Sequence, residues 1–265
     1  MAAFSGAMVF LTSRRAAEEG SRARSTRQSA ALIDSGAQRE AERLLQQATG
    51  NNTAAAAQIE ERAPAWRGRI QLTPQLKSLV GAGMNARDLG TRSAAIRLEL
   101  AAMDIAEDDA SVERLAMQAD SNDHATRIWA LWTLGLLANR GVEAERITGI
   151  LSAHLSDQDV EARHWAVEGL AYAGNDEVIP LLLKAMHDDP SAMVRERAAC
   201  SLAESGMLTL EQRRTAIPTL LTYADDPKLD AATHAWTFHA LRDITGQSLP
   251  DDAAKWREWY EQSQR

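Results

Sequence analysis

A single cysteine, Cys200, stands in the 265 residues, so no internal disulfide and no CxxC zinc or redox pair can form. That usage fits a reducing compartment. Aromatic residues are only 5%, whereas hydrophobic residues reach 45% with alanine abundant. Few aromatics and few β-branched runs argue against sheets and for helices packed closely through alanine. No apolar run approaches the ~20 residues that a bilayer-spanning helix needs. GxGxxG, P-loop and GxSxG signatures are absent, which leaves no sequence basis for a nucleotide, a phosphate cradle or a nucleophile elbow. Positive charge is scarce too. The net charge is −8; residues 1–62 carry +1 and the remainder −9, with no basic stripe set apart. Such a body repels phosphate backbones, so no nucleic-acid partner is expected.

The apolar start, MAAFSGAMVFLT over residues 1–12, is followed by Arg14, Arg15, Arg22, Arg24 and Arg27. A signal peptide carries its basic residues before the apolar run, the opposite order. Three readings stay open: a disordered start, a shallow helix giving weak membrane association, or the tail of a membrane helix that begins upstream of Met1. The arginines would hold the downstream chain on the cytoplasmic side if the segment inserted, and a cytoplasmic location is expected. Residues 1–30 are set apart on this ground. Residues 31–68 read as an N-terminal helical hairpin or a degenerate repeat. Its helices run over residues 37–48 and 54–62, the second ending before Pro64.

From residue 69 to 248 one sentence recurs: an acidic turn, an arginine, then a small-residue helix. Taking Arg92, Arg127, Arg163, Arg195 and His234 as reference positions, the gaps are 35, 36, 32 and 39 residues. That period belongs to helical-hairpin solenoids. Three residues after each reference come Ala95, Ala130, Ala166, Ala198 and Thr237. Seven after it come Leu134, Leu170, Leu202 and Leu241, with Glu99 as the exception. At about 100° per residue these positions share one face, the buried one. Four residues before the reference stand Asp88, Asp123, Asp159 and Asp230, with Ser191 in the remaining copy, all suited to N-capping. The reference arginines lie partly buried on this wheel and need carboxylates, so Arg92, Arg127, Arg163 and Arg195 with Asp88, Asp123, Asp159 and Asp230 read as a structural ladder. The first helices are expected over residues 73–81, 111–119, 143–155, 177–187 and 209–224. A final aromatic helix, LPDDAAKWREWYEQ within residues 249–265, suits a cap over the last repeat.

These residues resemble HEAT-repeat proteins in their short bacterial form, also called lyase-type repeats. The marks are D-x-D-V-x-x-R-x-x-A-x-x-x-L at Asp157–Leu170, DDPSAMVRERAACSLAESG from Asp188 and the two I-P-x-L openings. The resemblance implies an all-α, armadillo-like α-solenoid of about five hairpins with a C-terminal capping helix. It further implies a monomeric scaffold that holds a protein or peptide on its concave face, with no cofactor and no metal. The alternative is an accessory lyase or other enzyme acting in the groove. Di-iron members of the class carry His-Glu pairs, and no His-Glu dipeptide occurs here. Cys200 and His239 share a stripe on adjacent second helices, but nothing in the sequence orients the histidine as a base.

Candidate partner-binding residues sit where the repeat is free to vary. Two after the reference come Trp129, Trp165 and Trp236, for which inter-repeat packing is favoured over an aromatic row gripping a peptide. Outward positions carry Trp132, His164, Glu168 and His239. Trp132 lacks a packing role within its own hairpin, so it is expected to meet either a partner or an N-terminal hairpin folded back over the groove.

Overall fold

The computed structural model describes residues 34–264; the segment of residues 1–30 and its expected membrane contact lie outside them. Fourteen α-helices and no strand form among the described residues. The first four are α1 (Ser35–Thr49), α2 (Thr53–Trp66), α3 (Pro74–Met84) and α4 (Leu89–Ala102). Then come α5 (Asp109–Ala119), α6 (His124–Asn139), α7 (Ala144–His154), α8 (Val160–Ala173) and α9 (Val178–Asp188). The chain continues through α10 (Ala192–Ala203), α11 (Leu210–Arg214), α12 (Ile217–Ala224), α13 (Ala231–Thr245) and α14 (Ala253–Ser263).

Capping chemistry sets many of the boundaries. The side chains of Asp88, Asp123, Asp159 and Asp230 each accept from a first-turn N–H of α4, α6, α8 and α13. Ser191 does not cap α10; its own N–H donates to Asp189 Oδ1 at 2.8 Å. Helix α2 runs past Pro64 to Trp66, longer than the sequence suggests. A proline in the last turn removes one backbone bond, and burial of Ala63 and Trp66 compensates. The expected helix over residues 209–224 divides in two. A capping box of Thr209 and Gln212 opens α11, and Pro218 stands in the first turn of α12, where its missing N–H is no loss.

Alternate helices stack. Ala95, Ala130, Ala166 and Ala198 are fully buried, as are Leu134, Leu170, Leu202 and Leu241. The second helices α6, α8, α10 and α13 each pack broadly on the next, whereas successive first helices scarcely touch, so the array bends with the second helices inside. Closest of all are α6 and α8. A Cβ placed on Gly135 would fall 2.3 Å from the Gly169 carbonyl oxygen, so here the two backbones themselves meet. The hairpin α1–α2 stacks on α3–α4 through both of its helices, α1 on α3 and α2 on α4. At the other end α14 packs on α12 with Trp256 fully buried, its indole N–H donating to the Pro250 carbonyl at 2.9 Å.

Three rungs of the arginine ladder join neighbouring repeats. Arg127 meets Asp159 at 2.8 Å, Arg163 grips Asp189 through Nε at 2.8 Å and Nη2 at 3.1 Å, and Arg195 meets Asp230 at 2.5 Å. Each also donates to the carbonyl six residues earlier, of Ser121, Asp157 and Asp189. His234 makes the comparable loop bond to the Asp226 carbonyl at 2.9 Å. Arg92 departs from the expected ladder. Among the described residues it has no carboxylate partner, Asp123 binds only its own cap and Thr126, and Asp88 likewise serves Thr91. The reason is a change in stacking between α4 and α6. Ser93 meets Arg140 at 2.8 Å and Glu99 meets Trp132 at 3.4 Å, so α4 runs counter to α6 instead of alongside it. The start of α4 is therefore remote from Asp123. Residues 103–108 make this turn, with Asp104 in the left-handed region at φ 56°.

Candidate partner-binding site

Because α4 lies against α6 and its Arg92 reaches the loop after α10, the inner side is part surface and part interior. Trp132 stands edge-on to Tyr172 at 4.9 Å and to Trp165 at 5.9 Å, and its indole N–H points to Glu99 Oε1. The expectation that an outward Trp132 meets either a partner or the N-terminal hairpin is thus corrected: it is half-buried against the core, and the element that faces its indole is α4, not α1–α2. Glu99 is the residue that the sequence reading passed over. It holds the register that leucine fills in the other copies, Oε2 has no partner among the described residues, and burial raises its carboxyl above the usual range. Its place as the lone acid in a leucine register was the available signal.

The other singled-out residues divide by surroundings. Glu168 is committed to an ion pair with Arg197 of α10, which ties α8 to the next second helix. Trp165 lies between Trp132 and the His164 ring, 5.8 Å from the latter, and so packs across repeats. Trp236 is half-buried against the core. His239 is exposed and pairs with Asp243 in its own helix at 3.2 Å. His164 is half-buried with Nδ1 unpaired, and desolvation lowers its pKa, so it stays neutral near pH 7. Trp129 remains 37% exposed. Met193, on α10, is 41% exposed and was not singled out by the repeat pattern. Its backbone lies within hydrogen-bond reach of His164 on the neighbouring helix, and with Trp129 these residues stand on the first halves of α6, α8 and α10.

Chemistry of bond breaking finds no support in this arrangement. Cys200 makes no hydrogen bond with His239 among the described residues, and burial raises the thiol pKa, which disfavours the thiolate. Among the described residues no three His, Cys, Asp or Glu side chains converge as metal ligands. A cleft of about 490 Å³ between α7 and α9 holds the Arg163–Asp189 and Lys184–Asp188 pairs, so its charges are already neutralised. No described helix is long and apolar enough to cross a membrane.

The stacked hairpins define an all-α solenoid of repeats. The sequence profile of HEAT repeats matches residues 147–242, the stretch from α7 into α13 where stacking is regular, so this part of the chain is similar to HEAT repeats. Among solved structures, a crystal structure of an engineered protein is 18% identical, with 78% of this chain and 96% of that chain covered at a TM-score of 0.39. A designed armadillo repeat protein is also 18% identical, with 77% and 99% covered at a TM-score of 0.36. No curated protein matches the chain.

Proposed function

We propose that the protein is a monomeric, non-enzymatic scaffold that holds a protein or peptide segment on the inner side of its second helices. Repeat solenoids are typically interaction scaffolds, because stacking creates an extended curved surface without a catalytic centre. The observation that carries the reading is the strip of Trp129, His164 and Met193. Two of its three members are large apolar side chains left exposed, whereas the other aromatics among the described residues are buried or half-buried. Tryptophan and methionine are enriched at interfaces because they offer area and adaptable packing. The acidic body favours protein over nucleic acid as the occupant.

The test is Trp129→Ala, followed by quantitative affinity capture and thermal melting. Partners retained by the wild type are expected to be lost or weakened about tenfold or more, with the melting temperature within a few degrees, since the ring is a hot-spot candidate outside the core. Unchanged retention of every captured protein would refute the reading.

A further inference from the structure

Nine arginines are buried or half-buried among the described residues, and seven of them have a carboxylate within ion-pair distance. Arg92 and Arg213 have none among the described residues. Arg92 donates through Nε to the Ala86 carbonyl at 2.5 Å and through Nη1 to the carbonyls of Glu204 at 3.0 Å and Gly206 at 2.5 Å. Those partners are neutral, and its Nη2 donates to nothing described. Among the described residues Arg213 makes no side-chain hydrogen bond, and its Nε is buried without a partner. Both side chains are fixed by their settings. Gly206, at φ 81°, presses on the Ala171 carbonyl at the end of α8, and Gln212 anchors α11 to the Gly174 carbonyl at 3.1 Å and to Asp176 at 2.8 Å.

Two half-desolvated guanidiniums without a counter-ion are costly. Burial, and then the charge of Arg92, push down the pKa of Arg213, so the two cations act on one another. Glu204 and Asp243 act on Arg213 from beyond pairing distance and offset part of this repulsion. That residual negative charge would oppose a doubly charged phosphate more than a singly charged carboxylate. The guanidinium fork fits a carboxylate in two-point fashion, as Arg163 and Asp189 already show. Beside the pair lies Tyr172, packed edge-on to Trp132, which offers an apolar neighbour to the charged contact.

We propose that Arg92 and Arg213 form an anion subsite at the C-terminal end of α8 that receives a carboxylate of the bound peptide, from an Asp or Glu side chain or from its free C-terminus. The subsite rests on the scaffold reading above and adds the chemistry of the partner. From His164 to Tyr172 is about 12 Å along α8 at 1.5 Å per residue, so roughly four residues of an extended peptide join the apolar strip to the anion subsite.

A random displayed peptide library selected on the full chain supplies the probe. The best peptide is then titrated by fluorescence anisotropy against the wild type, Trp129→Ala and Arg213→Gln. Arg213→Gln should weaken it ten- to hundredfold, the range for losing a charge-assisted contact. It should leave melting unchanged or raised, because Arg213 has no internal bond to lose. Changing the peptide's acid to its amide, or its C-terminus to a carboxamide, identifies which carboxylate is used, and that change should cost as much on the wild type and nothing further on the variant. If Trp129→Ala weakens the peptide while Arg213→Gln and both amide changes do not, the subsite is wrong and the scaffold stands. A library that yields no peptide sensitive to either variant removes both. Tighter binding of a phosphoserine in place of the acid overturns the carboxylate assignment.

Discussion

Glu99 shows how one residue reports on the arrangement around it. Leucine fills its register in the four other copies, and there the residue is fully buried in a hairpin core. Glu99 is tolerated because α4 faces the Trp132 indole N–H, which satisfies one oxygen and leaves the other unpaired. Its folded-state pKa lies above the ordinary 4.5, so the folded protein binds the proton more tightly than the unfolded chain. Its contribution is therefore most favourable below the unfolded value and declines as pH rises through the folded one. Glu99→Gln should remove that decline and stabilise the protein at neutral pH by about 1 kcal/mol, the scale of an unsatisfied buried polar group. Urea melts at acidic and neutral pH check this, read as the difference between variant and wild type, since the capping aspartates, with lowered pKa values, lose stability in the opposite direction on acidification. A variant equally stable or less stable at both pH values would contradict the assignment.

At the scale of helices, the period of the sequence made the stack readable. Alanine three and leucine seven residues past the reference mark the buried face, and aspartate four before it marks each cap. The rungs Arg127–Asp159 and Arg195–Asp230 follow from the same period, because parallel neighbours bring like positions together. The third rung uses Asp189, the C-cap of α9, since Ser191 stands where the other copies have an N-cap aspartate. Backbone contact between α6 and α8 was not legible, because Gly135 and Gly169 do not share one register and single glycines in helices carry no signal of closeness. Gly135→Ala should destabilise by about 3 kcal/mol or more, as the added methyl meets backbone that cannot move aside. Chemical denaturation measures it. A loss below 1 kcal/mol would mean that the two helices can part cheaply.

For the whole molecule, the informative feature is the turn over residues 103–108, where a regular array changes the sense of its stacking. No repeat period encodes that turn, so neither the missing rung at Arg92 nor the meeting of α4 with Trp132 could be read from the period. Arg213 escaped notice for a related reason: its neighbour Arg92 is over a hundred residues away in sequence. The junction is held by a charged knot in which Arg140 of α6 reaches Glu60 at 2.9 Å and Ser93 at 2.8 Å, while Arg97 meets Glu60 at 2.8 Å and Glu107 at 3.1 Å. Arg140→Ala leaves the half-buried Glu60 and the neighbouring Glu107 with fewer counter-charges. It should cost roughly 2 kcal/mol and quicken proteolysis within residues 103–108. Cleavage there at the wild-type rate would show that the knot does not hold the two parts together.

The proposed scaffold holds its partner on the inner side of the second helices. Site-specific photo-crosslinking tests it most directly, with a photoreactive residue at Met193 on α10 and, in parallel, at Met117 on α5. Met117 is the more exposed of the two at 71% against 41%, so exposure alone favours the outer position. Crosslinks to partner from position 193 with none from position 117 are the predicted result. Equal crosslinking at both positions, or crosslinks from position 117 alone, would contradict it.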